Sequence, residues 1–499
     1  MSRPDLSLKN KLKEYVELFN RDDEEIYSWD IPNAEALSWL EENAPLLECP
    51  DKTLESTYYF RWWTFRKHIK STPDGVVVTE FVPAVPWESI YGTIVAPVGH
   101  HVDEGKWLKN RKEILEDYLK LFLSEKSSPY VYSTWLCFSV YQYCRFINDF
   151  SFGTDNLDSL VSFYEKMAKE HGTDEGLFWS VDNCDAMEVS ISGSDMERKP
   201  TKGLRPTLNS YMAANAFAIG EFAKRAGREE LSRKYFNEHT RIKELMFKRL
   251  FDGEFYKACH SADGGTSFVE LEKLSVWNNA RELIGYIPWC FDLVEKGHSG
   301  AFKHLNSKEG FLCQFGLTTA EQRHPRFLFG YRHSCLWNGY VWPFATTQTL
   351  NALRRVLETE ENAEVSWDDY YRHLLSYADS HHRIMPDGKR VFWIDEVRHP
   401  WHDCWECRHV LESRGWPESH GPRERGKDYN HSTFCDLVLG GLLGIDFCDG
   451  ELKAKPHLPE DWEYFKVENI WMGNTRYTVT YDRDGKCYGK GKGVIIEKQ

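Results

Sequence analysis

The chain has 499 residues, with 62 Lys plus Arg against 77 Asp plus Glu for a formal charge of −15, and 41% of it is hydrophobic. That apolar share supports a folded core and excludes extended disorder, and the negative balance argues against nucleic acid and anionic membrane surfaces as partners. One large cooperative domain with small appendages accommodates the length.

The first ten residues contain no apolar run that could act as a signal peptide, and no later stretch reaches an uncharged membrane-spanning length, so the chain reads as cytoplasmic. Thirteen Cys, an odd number scattered from Cys49 to Cys487, form no disulfide framework and suit a reducing compartment.

In chain order, residues 6–47 have helical composition with a break at Ile31-Pro32, an N-terminal helical extension assigned to 1–50. Amphipathic spacing then predicts helices over 106–125, 131–148, 157–170, 208–226, 231–250, 273–286, 343–357, 368–382, 404–413 and 432–443. Roughly ten to twelve helices joined by irregular loops imply an all-α body of helical hairpins over 51–450. The stretches 452–459, 465–471, 475–481 and 488–496 alternate with period two, and Asp484-Gly485 is a turn signal, so 451–499 reads as a small β cap.

Nucleotide and serine-hydrolase signatures are missing: the glycines near residues 193–203 form no GxGxxG or Walker loop, and Ser190-Ile-Ser-Gly193 is not GxSxG. Gly99-His-His-Val-Asp-Glu104 offers two imidazoles and two carboxylates, but adjacent histidines on a helix diverge, so His100 and His101 read as a polar loop near a pocket. Ser380-His-His-Arg383 reads as a helix end, and Cys404-Trp-Glu-Cys407 as a lone CxxC of free thiols. No metal and no cofactor are expected.

Two carboxylates stand out. Glu188, in Asp185-Ala-Met-Glu-Val-Ser190, sits on irregular backbone ahead of a helix, and Glu396, in Ile394-Asp-Glu-Val-Arg-His-Pro400, follows an apolar wall that includes Trp393. Between them lies Trp337-Asn-Gly-Tyr-Val-Trp-Pro343. Facing each other across a pocket, two such acids could cleave a glycosidic bond. Tyr58-Tyr-Phe-Arg-Trp-Trp63 and Asp428-Tyr-Asn-His-Ser-Thr433 are too polar and aromatic for plain helix faces and supply Arg61 and His431 as candidates.

The Glu188 segment resembles the general-acid segment of trehalases and of glycoside hydrolase family 63, including its mannosylglycerate hydrolase-like domains. Pro206-Thr-Leu-Asn-Ser-Tyr211, Arg281-Glu-Leu-Ile-Gly-Tyr-Ile-Pro-Trp289, Phe315-Gly-Leu-Thr-Thr-Ala320 and the Trp337–Pro343 stretch resemble that family's successive pocket segments, and Glu396-Val-Arg-His-Pro400 its general-base segment. The order is right over residues 57–450. The chain departs from the pattern with Glu188 where Asp is usual, Ala186 for Gly and His399 for Asn.

The resemblance implies an (α/α)6 barrel acting by inversion on a small glycoside or oligosaccharide, exo-acting, with α-glucosides or α-mannosides favoured. Glu188 would be the general acid, kept protonated by Asp185, and Glu396 the general base. Trp337, Trp342 and Trp393 would stack on sugar rings, while Asn338, Arg61 and His431 would bind hydroxyls. Two other classes stay open: an (α/α)6 epimerase or lyase using His100, His101, His399 or His431, and a non-catalytic carbohydrate-binding protein. Oligomeric state is not legible.

Overall fold

A computed structural model describes residues 7–330, 334–448 and 450–499. The described chain is mostly helical, with small sheets. Its helices are α1 Leu8–Arg21, α2 Ala36–Asn43, α3 Lys52–Phe65, α4 Val98–Gly105, α5 Arg111–Leu123, α6 Leu136–Ile147 and α7 Ser151–Asp155. There follow α8 Leu157–His171, α9 Pro206–Arg225, α10 Glu229–Leu250, α11 Ile287–Cys290, α12 Pro343–Thr359, α13 Trp367–Asp379 and α14 Glu406–Ser413. None is long and apolar enough to cross a membrane.

The long amphipathic stretches fold as their periodicity requires. Both α9 and α12 open on a proline, Pro206 and Pro343, whose fixed φ suits a first helical turn. Successive helices pack in order: α4 on α6, α6 on α9, α9 on α11, α11 on α12, α12 on α13, and α13 back on α3.

Three segments differ from their sequence pattern. The Tyr58–Trp63 stretch lies within helix α3, whose residues from Thr57 to Phe65 are all buried; a helix covered on every side carries no amphipathic stripe. His100 and His101 belong to helix α4 and not to a loop, each 1% exposed. The span 273–286 is not a helix: Glu282 is extended, with its carboxylate accepting from the Ile191 and Ser192 amides, and only short 3-10 turns flank it. Residues 437–442 form a single π-helical turn that fits Gly441 under the Tyr370 hydroxyl.

The two ends of the chain share one sheet. Strand Leu46–Glu48 pairs antiparallel with Tyr464–Met472, which pairs in turn with Thr475–Asp482, and that strand with Gly493–Lys498. A bulge between Val467 and Ile470 turns Asn469 into the left-handed region at φ 64°. Its side-chain amide donates to the Ala44 carbonyl at 2.9 Å, beyond the end of α2, and its side-chain oxygen accepts from Trp471 Nε1 at 2.7 Å. Replacing Asn469 with Ala removes both bonds and keeps the strained φ; a loss of about 2 kcal/mol in urea denaturation is expected.

Candidate active site

Glu188 sits in a loop under backbone tension. A 3-10 turn at Asn183–Asp185 leads to Ala186 at φ 56°, and Val189 follows at φ 61°, both left-handed and the second β-branched. Arg205, just before α9, holds the loop: its Nε donates to Asp185 at 2.5 Å, and its terminal nitrogens reach Ser192 and Ser190. Ser133 completes Asp185 at 2.6 Å. Asp185 is thus paired and buried beneath the loop, committed to Arg205. The Glu188 carbonyl accepts from the Trp337 amide at 3.0 Å, tying it to the aromatic stretch.

Glu396 enters from the segment after the Arg390–Phe392 strand and is 5% exposed. Arg425 forms an ion pair with it. Asp395 faces the other way, bound by Arg408 Nε at 2.7 Å, with Trp393 Nε1 at 3.3 Å and the Glu396 amide at 2.9 Å. Burial raises the Glu396 carboxyl to about 7; Arg425 opposes this, while Asp395 and Glu188 add to it. Glu188 and Glu396, far apart in sequence, are therefore electrostatic neighbours. Cys335 senses both: its Sγ lies 3.1 Å from Glu188 Oε2, and burial and then both carboxylates push its thiol pKa up.

A third carboxyl group belongs to this cluster, and residue patterns did not reveal it. Glu80 is 6% exposed, takes a hydrogen bond from the Tyr429 hydroxyl, and feels both Glu396 and Glu188; burial and those charges raise it to about 8. The only hint in sequence is an acid set in the apolar run Val76-Val-Val-Thr-Glu-Phe-Val82. Arg425, equally hidden, and Tyr429 come from the same late segment as His431.

That segment is fastened by buried side chains from early in the chain. His68 Nε2 meets the Asp428 carbonyl at 2.7 Å, His101 Nε2 the Asn430 carbonyl at 2.6 Å, and Arg61 Nη2 donates to the Ser432 carbonyl at 2.6 Å. Glu104 then accepts from the Thr433 hydroxyl and the amides of Phe434, Cys435 and Asp436. Arg61, also bound to Tyr377 at 2.9 Å, thus acts on backbone in the helical core and not on a sugar. The Tyr429 ring lies 3.8 Å from that of His431, whose pKa burial drives well below its usual value.

The aromatic candidates are more enclosed than their motif implies. Trp337 and Trp342 stack on each other at 4.4 Å and are each 3% exposed, with Trp342 Nε1 donating to the Leu336 carbonyl. Gly339 between them, at φ 132°, lies so near Phe327 that a Cβ would come within 2.5 Å of the ring. Asn338 donates to the Phe329 carbonyl at 3.1 Å, and Trp393 packs under the Arg408 guanidinium at 4.7 Å. His399 accepts the Trp401 and His402 amides. A cavity of about 700 Å3 lies elsewhere and has neither Glu188 nor Glu396 in its wall.

Against known proteins, the profile of the mannosylglycerate hydrolase MGH1-like glycoside hydrolase domain matches residues 90–432. That span takes in Glu188, Glu396, Arg425 and Tyr429 and begins after Glu80. This chain belongs to that family of glycoside hydrolases. No curated protein matches it. Among solved structures, one titled "Sialidase" superposes with a TM-score of 0.86 at 32% identity over 98% of this chain, which spans 43% of that one's length. A GH78 family rhamnosidase of a Bacillus species has a TM-score of 0.56 at 13% identity, covering 89% of this chain and 40% of that one. The GH63 mannosylglycerate hydrolase from Thermus thermophilus in complex with glucose has a TM-score of 0.50 at 10% identity, covering 77% and 98%. At those identities the last two show likeness of fold.

Two measurements test this geometry. Ala186→Gly relieves a left-handed Cβ and is expected to stabilise by about 1 kcal/mol in urea denaturation. Because the Glu80 carboxyl is raised from 4.5 to about 8, its contribution is fully present below pH 4.5 and is lost as pH rises towards 8. Glu80→Gln should therefore lessen the fall in stability between pH 5 and 8.5 by up to roughly 4 kcal/mol in urea denaturation; an unchanged fall means Glu80 does not titrate there.

Proposed function

We propose that this chain cleaves a glycosidic bond in a small glycoside or oligosaccharide by single displacement, with Glu188 as general acid and Glu396 as general base. The observation that carries the reading is the electrostatic proximity of the two buried carboxyl groups: the charge of Glu188 adds to the rise of Glu396, and both act on Cys335, which lies 3.1 Å from Glu188. Water attacks the anomeric carbon and gives its proton to Glu396 as the carbon–oxygen bond breaks. The departing oxygen takes the proton of Glu188, and the sugar leaves with inverted configuration. A base near 7, low enough to be ionised at neutral pH yet basic enough to accept a proton, is suited to that step.

The surroundings fit the assignment. Arg425 favours the ionised Glu396, while Glu80, raised to about 8, remains a neutral acid at pH 7 and can hydrogen-bond a sugar hydroxyl. We take the helices of 51–450 to close as an (α/α)6 toroid, a reading supported by the packing order that returns from α13 to α3. A neutral α-glucoside or α-mannoside suits a site where Glu80, Glu188 and Glu396 act on one another electrostatically and further anionic charge is disfavoured. A sialoside is the second reading, favoured by the 32% identical structure titled "Sialidase"; Arg425 would then release Glu396 to meet the substrate carboxylate. A His-based epimerase or lyase has less support, since His101 is committed at both nitrogens.

Glu188→Gln and Glu396→Gln are each expected to lower kcat by about 10²–10⁴-fold on substrates with poor leaving groups. Glu188→Gln should recover on dinitrophenyl glycosides, which need no acid. In the wild type, kcat/KM should rise as pH passes through about 7, where Glu396 ionises. A panel of aryl α-glucoside, α-mannoside and N-acetylneuraminate α-ketoside, with the first-formed anomer read by NMR, separates the substrate readings. Near-wild-type turnover of either variant on an unactivated glycoside removes that residue from its role.

A further inference from the structure

The cavity of about 700 Å3 that excludes the carboxylate pair has the features of a binding site in its own right. Its size is that of a small-ligand pocket. Helix α6 supplies one wall and is unusual there: its buried face carries Leu136, Val140, Tyr143 and Cys144, while its cavity face presents Phe138, Tyr141 and Gln142. Phe217 of α9 and Phe291 extend the same wall, with ring centroids 5.5 Å from Tyr141 and 5.2 Å from Phe138 respectively. All four rings remain partly exposed, so a contiguous apolar surface is left wet inside a concavity.

Four of the cations around this wall are matched. Arg145 pairs with Asp446 at 3.0 Å and Lys106 with Asp436 at 2.9 Å. Arg354 pairs with Glu358 at 2.7 Å and Arg355 with Asp292 at 2.5 Å. A charged ligand would compete with these pairs, whereas an uncharged one would not. The remaining polar groups include the carboxamides of Gln142 and Asn351, planar donor–acceptor groups suited to vicinal hydroxyls. Aromatic faces beside carboxamides fit a molecule with C–H faces and a hydroxyl edge.

We infer that this cavity is a second carbohydrate site, binding a neutral hexose unit through the Phe138–Tyr141–Phe217–Phe291 wall. It is distinct from the carboxylate pair. The His100 ring packs at 5.2 Å from Trp135 in the cavity and at 4.7 Å from Phe344, which in turn lies 6.2 Å from His431. Packed side chains, Phe344 and His431 among them, therefore separate a sugar bound in the cavity from Glu396.

The test is calorimetric titration of the whole chain with maltotriose, mannotriose and cellotriose, using the Glu396→Gln variant to suppress turnover. Saturable binding of at least one trisaccharide is expected, weakened about tenfold or more by Phe138→Ala and by Tyr141→Ala. Hydrolysis of a small aryl glycoside by the same two substitutions in the otherwise wild-type chain should stay within about twofold, and unchanged melting temperatures confirm folding. Tyr141→Phe, which keeps the ring, should retain most of the affinity. The inference fails if no trisaccharide binds, if binding is indifferent to both alanine variants, or if N-acetylneuraminate binds at the cavity in preference to all three. Loss of activity in Glu188→Gln or Glu396→Gln bears on the catalytic reading alone.

Discussion

The segment 428–436 is buried backbone without a sheet or a regular helix to satisfy most of it, and the structure depends on how its polar groups are met. Carbonyls at alternate residues, Asp428, Asn430 and Ser432, are taken by His68, His101 and Arg61, and the amides that follow by Glu104. Leaving such groups unpaired would cost on the order of 1–3 kcal/mol each, so the partners cannot be exchanged one at a time without penalty. Because all four come from α3, α4 and the turn after α3, the first third of the chain decides where the last third runs. With the carbonyls of 428, 430 and 432 fixed, the side chains between them, Tyr429 and His431, are held against Glu80 and beside Glu396.

Histidines in this clamp must be neutral to accept burial. Burial lowers His68 and His101 to about 3, so neither gains a proton near neutral pH, and the clamp holds through the range in which Glu396 and Glu80 titrate. The support is insensitive to pH while the site it supports is sensitive to it. Catalytic chemistry needs that division, since a base can work near its own pKa only if its position does not change when it ionises.

Tension is concentrated beside Glu188. Two non-glycine residues with positive φ flank it, Ala186 and Val189, and they persist because Arg205, Ser133, Glu282 and Arg326 hold the loop from several sides. Where the resembling segments have a Gly at the first of these positions, this chain has Ala186, and the longer Glu188 follows shortly after. The backbone around the acid is thus shaped by its supports and not by local preference.

Much was legible from residues alone: the long amphipathic helices, the period-two strands near the C-terminus, the ordered motifs around Glu188, Glu396 and Trp337–Pro343. These depend on short-range periodicity and on spacing within a segment, which a sequence displays directly. What escaped were features with no local signature. Helix α3 is buried on every side from Thr57 onward, α4 hides two histidines, and Asp185 is paired with Arg205, which lies 20 residues further on. Glu80 became part of the site only through Tyr429, 349 residues away, and Arg61 became a support and not a sugar ligand through Ser432. The sequence alone determined most of the long helical segments and which carboxylates are candidates, because those follow from residue type and period. Tertiary structure decided which charges meet, which are neutralised and which rings remain wet, because pKa and exposure belong to neighbours brought together by folding.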